Sequence, residues 1–164
     1  MQICLNVSLM RNNLNRAFKQ VKRNGGASGI DGMTIDKLLE YLQEQVYPKQ
    51  VAIPSYKMIR TDERCLDANN LDTSSWTEIT NQELWGGHRE YYWFETVVTI
   101  PEEFDGECVV YELKTGKEGE WDATNPQFSI FVNGVRVQGL DVNHREIILA
   151  EPAKAGDTYR IVLS

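Results

Sequence analysis

The chain has 164 residues and is 41% hydrophobic, which is enough for an apolar core and excludes a wholly disordered protein. Its formal net charge of −7 argues against nucleic-acid binding by the chain as a whole. The charge is uneven, because residues 1–50 carry seven Lys/Arg and four Asp/Glu, whereas residues 51–164 carry ten and twenty. A basic first segment joined to an acidic second segment indicates two parts of different character.

The cysteines and the start of the chain bear on location. Three cysteines, at positions 4, 65 and 108, are widely spaced and odd in number, which predicts reduced thiols and neither a disulfide framework nor a zinc site. The first ten residues lack the basic start and the apolar length of a signal peptide, and no run approaches a membrane span. We therefore expect a cytoplasmic protein without a membrane partner.

A basic amphipathic helix is predicted near the start of the chain. Apolar residues between positions 14 and 21 recur at helical spacing, and Asn24-Gly25-Gly26 ends the pattern. Four basic residues on its polar face and last turn are candidates for RNA contact, the alternative being a solvated face: Arg16, Lys19, Lys22 and Arg23. A glycine-containing loop and a second helix after Thr34 complete the pattern, so that residues 1–45 are predicted to be a helical extension.

Residues 12–45 resemble the opening of group II intron reverse transcriptases and maturases. The family motif A-x-x-x-V-x-x-N-x-G-x-x-G-x-D-G is matched by Ala17, Val21, Asn24, Gly26, Gly29, Asp31 and Gly32. In that family the segment helps to form RNA-binding fingers, and the metal-binding aspartates come later, in a Tyr-x-Asp-Asp turn. This sequence has no such turn, and nucleotide transfer needs those carboxylates to hold paired metal ions. The resemblance therefore implies no polymerase activity.

The chain from about residue 76 onward predicts strands and turns. Strand patterns occupy residues 91–100, 107–113, 128–137, 145–150 and 158–163. Asn133-Gly134 lies between two apolar runs, which is the strongest short-range signal for a β-hairpin. Strands at this spacing, without intervening helices, predict a mainly β fold: an antiparallel β-sandwich preceded by a short helix-loop-helix extension.

Aromatic and polar clusters in this second segment are the candidate binding residues. Trp and Tyr rings can stack on the apolar face of a sugar, and polar loop side chains can bind its hydroxyl groups. The candidates for carbohydrate contact are Trp85, His88, Tyr91, Trp121, Asp141, Asn143, His144 and Arg145. The alternatives are that Trp85 fills an end of the sandwich and that the polar residues of loop 140–147 form local hydrogen bonds. No catalytic residue and no metal ligand is predicted, since the sequence contains no GxSxG motif and no convincing Cys/His pair.

Residues 46–164 resemble the N-terminal β-sandwich of glycoside hydrolase family 38 α-mannosidases. The resemblance is carried in order by the stretches at 46–59, 76–79, 84–106, 131–149 and 155–164, which include W-G-G, W-F, I-P-E, N-G and N-H-R-E. A more general relative is the jelly-roll or galactose-binding-like sandwich ahead of β-galactosidase barrels. It shares the aromatic strand and the N-G hairpin.

This resemblance implies a non-catalytic accessory domain at 46–164, whose last strands would be missing. In the α-mannosidase family the zinc ligands and the nucleophilic aspartate belong to a later α/β barrel, so no cofactor is expected in this chain. The expected partners are a mannosidase catalytic domain or a mannose-containing glycan. The function predicted is an accessory domain of an α-mannosidase fused to a reverse transcriptase remnant. The alternative is an RNA-binding remnant, against which the acidic second segment argues.

Overall fold

The computed structural model describes residues 2–7, 37, 47–62, 67–81, 83–87, 90–115 and 125–164, with residues 2–7 described as backbone only. The predicted helix-loop-helix lies outside these residues except for Lys37, so it stays a prediction. None of the helical structure described is long and apolar enough to cross a membrane.

The described residues form ten strands in two antiparallel sheets. The strands are β1 Gln2–Val7, β2 Gln50–Ile53, β3 Ser55–Thr61, β4 Thr77–Thr80, β5 Tyr91–Thr99, β6 Val109–Lys114, β7 Phe128–Val132, β8 Val135–Leu140, β9 Glu146–Ala150 and β10 Thr158–Leu163. The smaller sheet has the order β2-β1-β6-β9, and the larger sheet has the order β4-β3-β5-β10-β7-β8. A 3₁₀ turn at Glu102–Phe104 follows β5. The fold is therefore mainly β and antiparallel, and each of the five predicted strand regions contains strand.

One apolar cluster joins the two sheets. Tyr111 of the smaller sheet is fully buried, and it belongs to the same cluster as Phe94, Ile130 and Leu163 of the larger sheet. Such sharing follows from the alternation of side chains along a strand, since residues two apart point to one face. The arrangement is sandwich-like, with the core between the sheets.

The first strand comes from the segment for which the sequence predicts helices. β1 pairs antiparallel with β2 on one side and with β6 on the other, so residues 2–7 lie inside the smaller sheet. Its sequence places Ile3, Leu5 and Val7 at the two-residue spacing of a strand. A domain boundary at residue 45 would therefore place β1 in one domain and the two strands that it pairs with in the other.

The Asn133-Gly134 turn between β7 and β8 confirms the predicted hairpin. Both residues have positive φ angles, 49° and 82°, as a two-residue type I′ turn requires. Asn133 also bonds β10, because its side-chain oxygen accepts the Arg160 backbone N–H at 2.9 Å and its own N–H donates to the Arg160 carbonyl at 2.8 Å. The turn thus places β8 beside β7, at the edge of the larger sheet, and is itself bonded to β10.

The outer face of the larger sheet is covered by the segment 67–76. Phe131 of β7 is not part of the core between the sheets but is buried with Ala68 and Val162 in a second apolar cluster. The Arg160 guanidinium holds this segment in place. It donates to Glu95 Oε1 at 2.6 Å and to the carbonyl oxygens of Ala68 at 2.6 Å and Leu71 at 3.4 Å.

Gly134→Ala should destabilise the protein more than the same change at Gly156. Both glycines have φ near +80°, so both substitutions carry a backbone cost of about 1–2 kcal/mol. A Cβ at Gly134 would overlap the Asn69 side-chain amide, whereas a Cβ at Gly156 meets nothing within 4 Å. Urea denaturation of the two variants measures the difference, and equal losses of unfolding free energy would show that the exposed Asn69 side chain moves aside without cost.

Arg160→Ala should lower the free energy of unfolding by about 2–4 kcal/mol, because it leaves Glu95 buried without its cation. We expect a smaller loss of unfolding free energy than for a fully buried ion pair, because the Arg160 side chain is 26% exposed. The double variant Arg160→Ala with Glu95→Gln should recover part of the loss in urea denaturation. Additive losses would show that the two side chains act independently.

Candidate functional site

The candidate site is a cleft of about 690 Å³ at one end of the larger sheet. Strands β5 and β7 begin at this end, and β8 and β10 finish there, because neighbouring strands of the sheet are antiparallel. Residues far apart in the sequence therefore meet around one opening. A cleft of this volume is within the range that holds small organic ligands.

Aromatic side chains form much of the cleft wall. They come from the turn before β5, from the start of β5 and from the start of β7: Trp85, Tyr91, Tyr92, Trp93 and Phe128. Trp85 is fixed by edge-to-face packing, with its ring centroid 4.7 Å from Phe94 and 5.9 Å from Phe128. Tyr91 is 50% exposed, so its ring is open to a ligand.

Polar side chains line the same cleft. They are Glu90, Gln127, Ser129, Arg136 and Asp141. The combination of aromatic walls with a few polar groups is typical of sites that orient an uncharged or singly charged small molecule.

A hydrogen-bond network holds Glu90 in the wall. The Tyr92 hydroxyl donates to Glu90 Oε2 at 2.5 Å, and Arg60 Nη2 lies 3.3 Å from Glu90 Oε1. This hydrogen bond raises the pKa of Tyr92. A Cβ on Gly87 would overlap the Glu90 carboxylate, so the glycine lets the turn approach this side chain.

Asp141 organises the loop that follows β8. Its Oδ1 accepts backbone N–H groups from Asn143 at 2.8 Å and His144 at 2.7 Å, and His144 Nδ1 lies 3.1 Å away. The Asn143 and His144 amides lower the pKa of Asp141, because they favour its charged form. The expectation that this loop forms local hydrogen bonds is confirmed for Asp141.

The structure brings three predicted contact residues together and leaves others apart. Trp85, Tyr91 and Asp141 all line the cleft, although 56 positions separate the first from the last in the chain. The side chains of Asn143, His144 and Arg145 follow on the loop but are not among those that line it. His88, Trp121 and the four basic candidates for RNA contact, Arg16, Lys19, Lys22 and Arg23, lie outside the described residues, and their roles stay predictions.

Sequence reasoning missed several residues of the wall. Arg136 reads as an ordinary residue of a hairpin strand, and Gln127 and Ser129 carry no motif. Glu90 precedes Tyr92 by two positions, which is the spacing of side chains on one face of an extended chain, and this was the available signal. Trp85 both fills the sandwich end and lines the cleft, so its two predicted roles are compatible in the structure.

The described residues contain no group of three or more side chains that could hold a metal ion. Asp141 and His144 form only a pair, and the one other acid that lines the cleft, Glu90, pairs with Arg60. In comparisons with known proteins, no family model, no curated protein and no solved structure matches the chain. The two family resemblances accordingly rest on the sequence motifs alone.

Asp141→Asn should make the protein less sensitive to acid. The pKa of Asp141 is lowered in the folded state, so its contribution to stability is present above the unfolded pKa and is lost as the pH falls through the folded value. Below about pH 4 the wild type should therefore lose stability more steeply than the variant.

Urea midpoints measured across this pH range test the prediction. Glu151→Gln, a change at an exposed acid in the turn after β9, is the matched control and should leave the steepness unchanged. If Asp141→Asn and Glu151→Gln give the same pH profile, the amide bonds do not stabilise the charged form of Asp141.

Proposed function

We propose that the chain is a non-catalytic accessory β-domain that holds a saccharide in the cleft at the end of its larger sheet. The observation that carries the proposal is the convergence of Trp85, Tyr91 and Asp141 on one opening. All three are residues that the sequence predicts for sugar contact. They come from a turn, a strand and a loop with no local reason to meet.

The composition of the wall supports a saccharide as the ligand. A pyranose ring has an apolar face of C–H groups and a rim of hydroxyl groups. The exposed ring of Tyr91 offers an apolar surface, and Gln127, Ser129 and Asp141 offer hydrogen-bond partners around it. A purely apolar ligand would leave these polar groups without partners when it displaced water.

The engagement of the two carboxylates supports a binding role rather than catalysis. Glycoside hydrolysis uses two carboxyl groups that face the scissile bond and are free to exchange protons or attack carbon. Here Glu90 is held by Tyr92 and Arg60, and Asp141 is held by two backbone amides. Neither is arranged to act as a general acid.

The resemblance of residues 46–164 to the N-terminal sandwich of α-mannosidases supports an accessory role beside a glycan-hydrolysing domain. We propose a jelly-roll or galactose-binding-like arrangement of the two sheets and a mannose-containing glycan as ligand. In such an enzyme the domain would pack on a catalytic domain, and the fused segment at 12–45 would be a reverse transcriptase remnant. The shared core and the antiparallel order of the sheets are compatible with this assignment.

Tyr91→Ala should weaken the binding of methyl α-mannoside by about five- to tenfold, on the scale of about 1 kcal/mol for an aromatic contact. Isothermal titration calorimetry of the intact chain measures the affinity. Val97→Ala is the matched control, because Val97 is 61% exposed on the same face of β5 but lies outside the cleft. It should leave the affinity within twofold.

Two outcomes would contradict the proposal. Absence of binding by the wild type up to tens of millimolar sugar would remove saccharide binding and leave a packing role. Binding that Tyr91→Ala and Val97→Ala weaken equally would place the sugar elsewhere. Tryptophan fluorescence gives an independent readout, because Trp85 and Trp93 both line the cleft.

A further inference from the structure

The charged groups of the cleft differ in how far they are already engaged. Glu90 accepts the Tyr92 hydroxyl at 2.5 Å and pairs with Arg60 at 3.3 Å. Asp141 accepts two backbone amides, at 2.8 Å and 2.7 Å. Each carboxylate therefore has protein donors that already stabilise its negative charge, and neither needs a ligand to do so.

Arg136, by contrast, is a charged residue of the cleft whose side chain has no such partner among the described residues. It lies on β8, opposite Phe131 of β7, and lines the cleft. Arg136 is an exposed residue, and its side chain makes no hydrogen bond and no ion pair with any residue in the part of the chain that the structure describes. A guanidinium has five N–H donors in a planar fork, so this side chain brings unused donors to the wall.

A ligand that covers Arg136 must replace the water on its donors. Covering the guanidinium with an apolar group or with an amine would leave its donors unsatisfied or add repulsion. Two parallel oxygens of a carboxylate or a phosphate fit the fork and form charge-assisted hydrogen bonds. The acidic character of residues 51–164 opposes an anion only weakly at distance, because charges more than about 8 Å apart are largely screened at physiological ionic strength.

We propose that Arg136 is a specificity-determining residue, and that the saccharide taken by the cleft carries an oxyanion, either the carboxylate of a uronic acid or the phosphate of a hexose phosphate. The inference rests on the proposed function and narrows its ligand class. The ring lies against Tyr91, and the oxyanion receives the Arg136 donors. Glu90 and Asp141 remain bound to their own partners and orient the wall.

The test compares four ligands at one ionic strength by isothermal titration calorimetry: methyl α-mannoside, glucuronic acid, mannose 6-phosphate and inorganic phosphate. The wild type should bind at least one of the two acidic sugars about tenfold more tightly than the neutral sugar. Comparing glucuronic acid with mannose 6-phosphate shows whether the cleft prefers a carboxylate or a phosphate.

Arg136→Gln should weaken the binding of the acidic sugar about tenfold and so remove its advantage over methyl α-mannoside. Lys154→Gln is the control for net charge, since Lys154 is exposed in the turn before β10, at the other end of the sheet. It should retain the tenfold preference. Thermal unfolding of both variants establishes that each is folded.

The outcomes separate this inference from the proposed function. If neutral and acidic sugars bind equally, or if the preference survives Arg136→Gln, the role of Arg136 is overturned while saccharide binding stands. If inorganic phosphate binds as tightly as mannose 6-phosphate, the sugar ring contributes nothing, and the inference is overturned. If none of the sugars binds, the proposed function is overturned, and this inference with it.

Discussion

Arg160 connects several parts of the larger sheet. Its guanidinium joins β10 to Glu95 of β5 and to the carbonyl groups of the segment 67–71, and its backbone exchanges two hydrogen bonds with Asn133. Burying the Glu95 carboxylate costs free energy unless a cation compensates it, and the Arg160 guanidinium is that cation. The same residue therefore links the covering segment, the central strands and the β7–β8 turn.

The antiparallel order of four neighbouring strands decides where the cleft lies. The first residues of β5 and β7 and the last residues of β8 and β10 come to one end only because these four strands are neighbours and antiparallel. Trp85 then packs against Phe94 and Phe128 and closes the core beneath the cleft. The same ring therefore packs against the core on one side and lines the cleft on the other. Among the charged residues of the wall, Glu90 and Asp141 have protein partners that hold them in place.

The basic first segment and the acidic second segment both contribute strands to the smaller sheet. Residues 1–50 have a net positive charge, yet residues 2–7 lie between β2 and β6 and pair with both. Removing them would expose the backbone donors and acceptors of two strands, which is unfavourable and prone to aggregation.

The sequence alone determined the local features of this protein. Alternating and β-branched residues specified the strand regions after residue 76, and Asn133-Gly134 specified a hairpin, because these signals depend only on near neighbours. It also identified Trp85, Tyr91 and Asp141 as candidates by residue type. Only the tertiary structure decided that these three share a cleft, that Phe131 is buried on the outer face, that β1 enters the smaller sheet and that Arg136 lines the site. Each of these depends on which distant strands become neighbours, and the pairing of strands is set by the packing of the whole core rather than by any short stretch of chain.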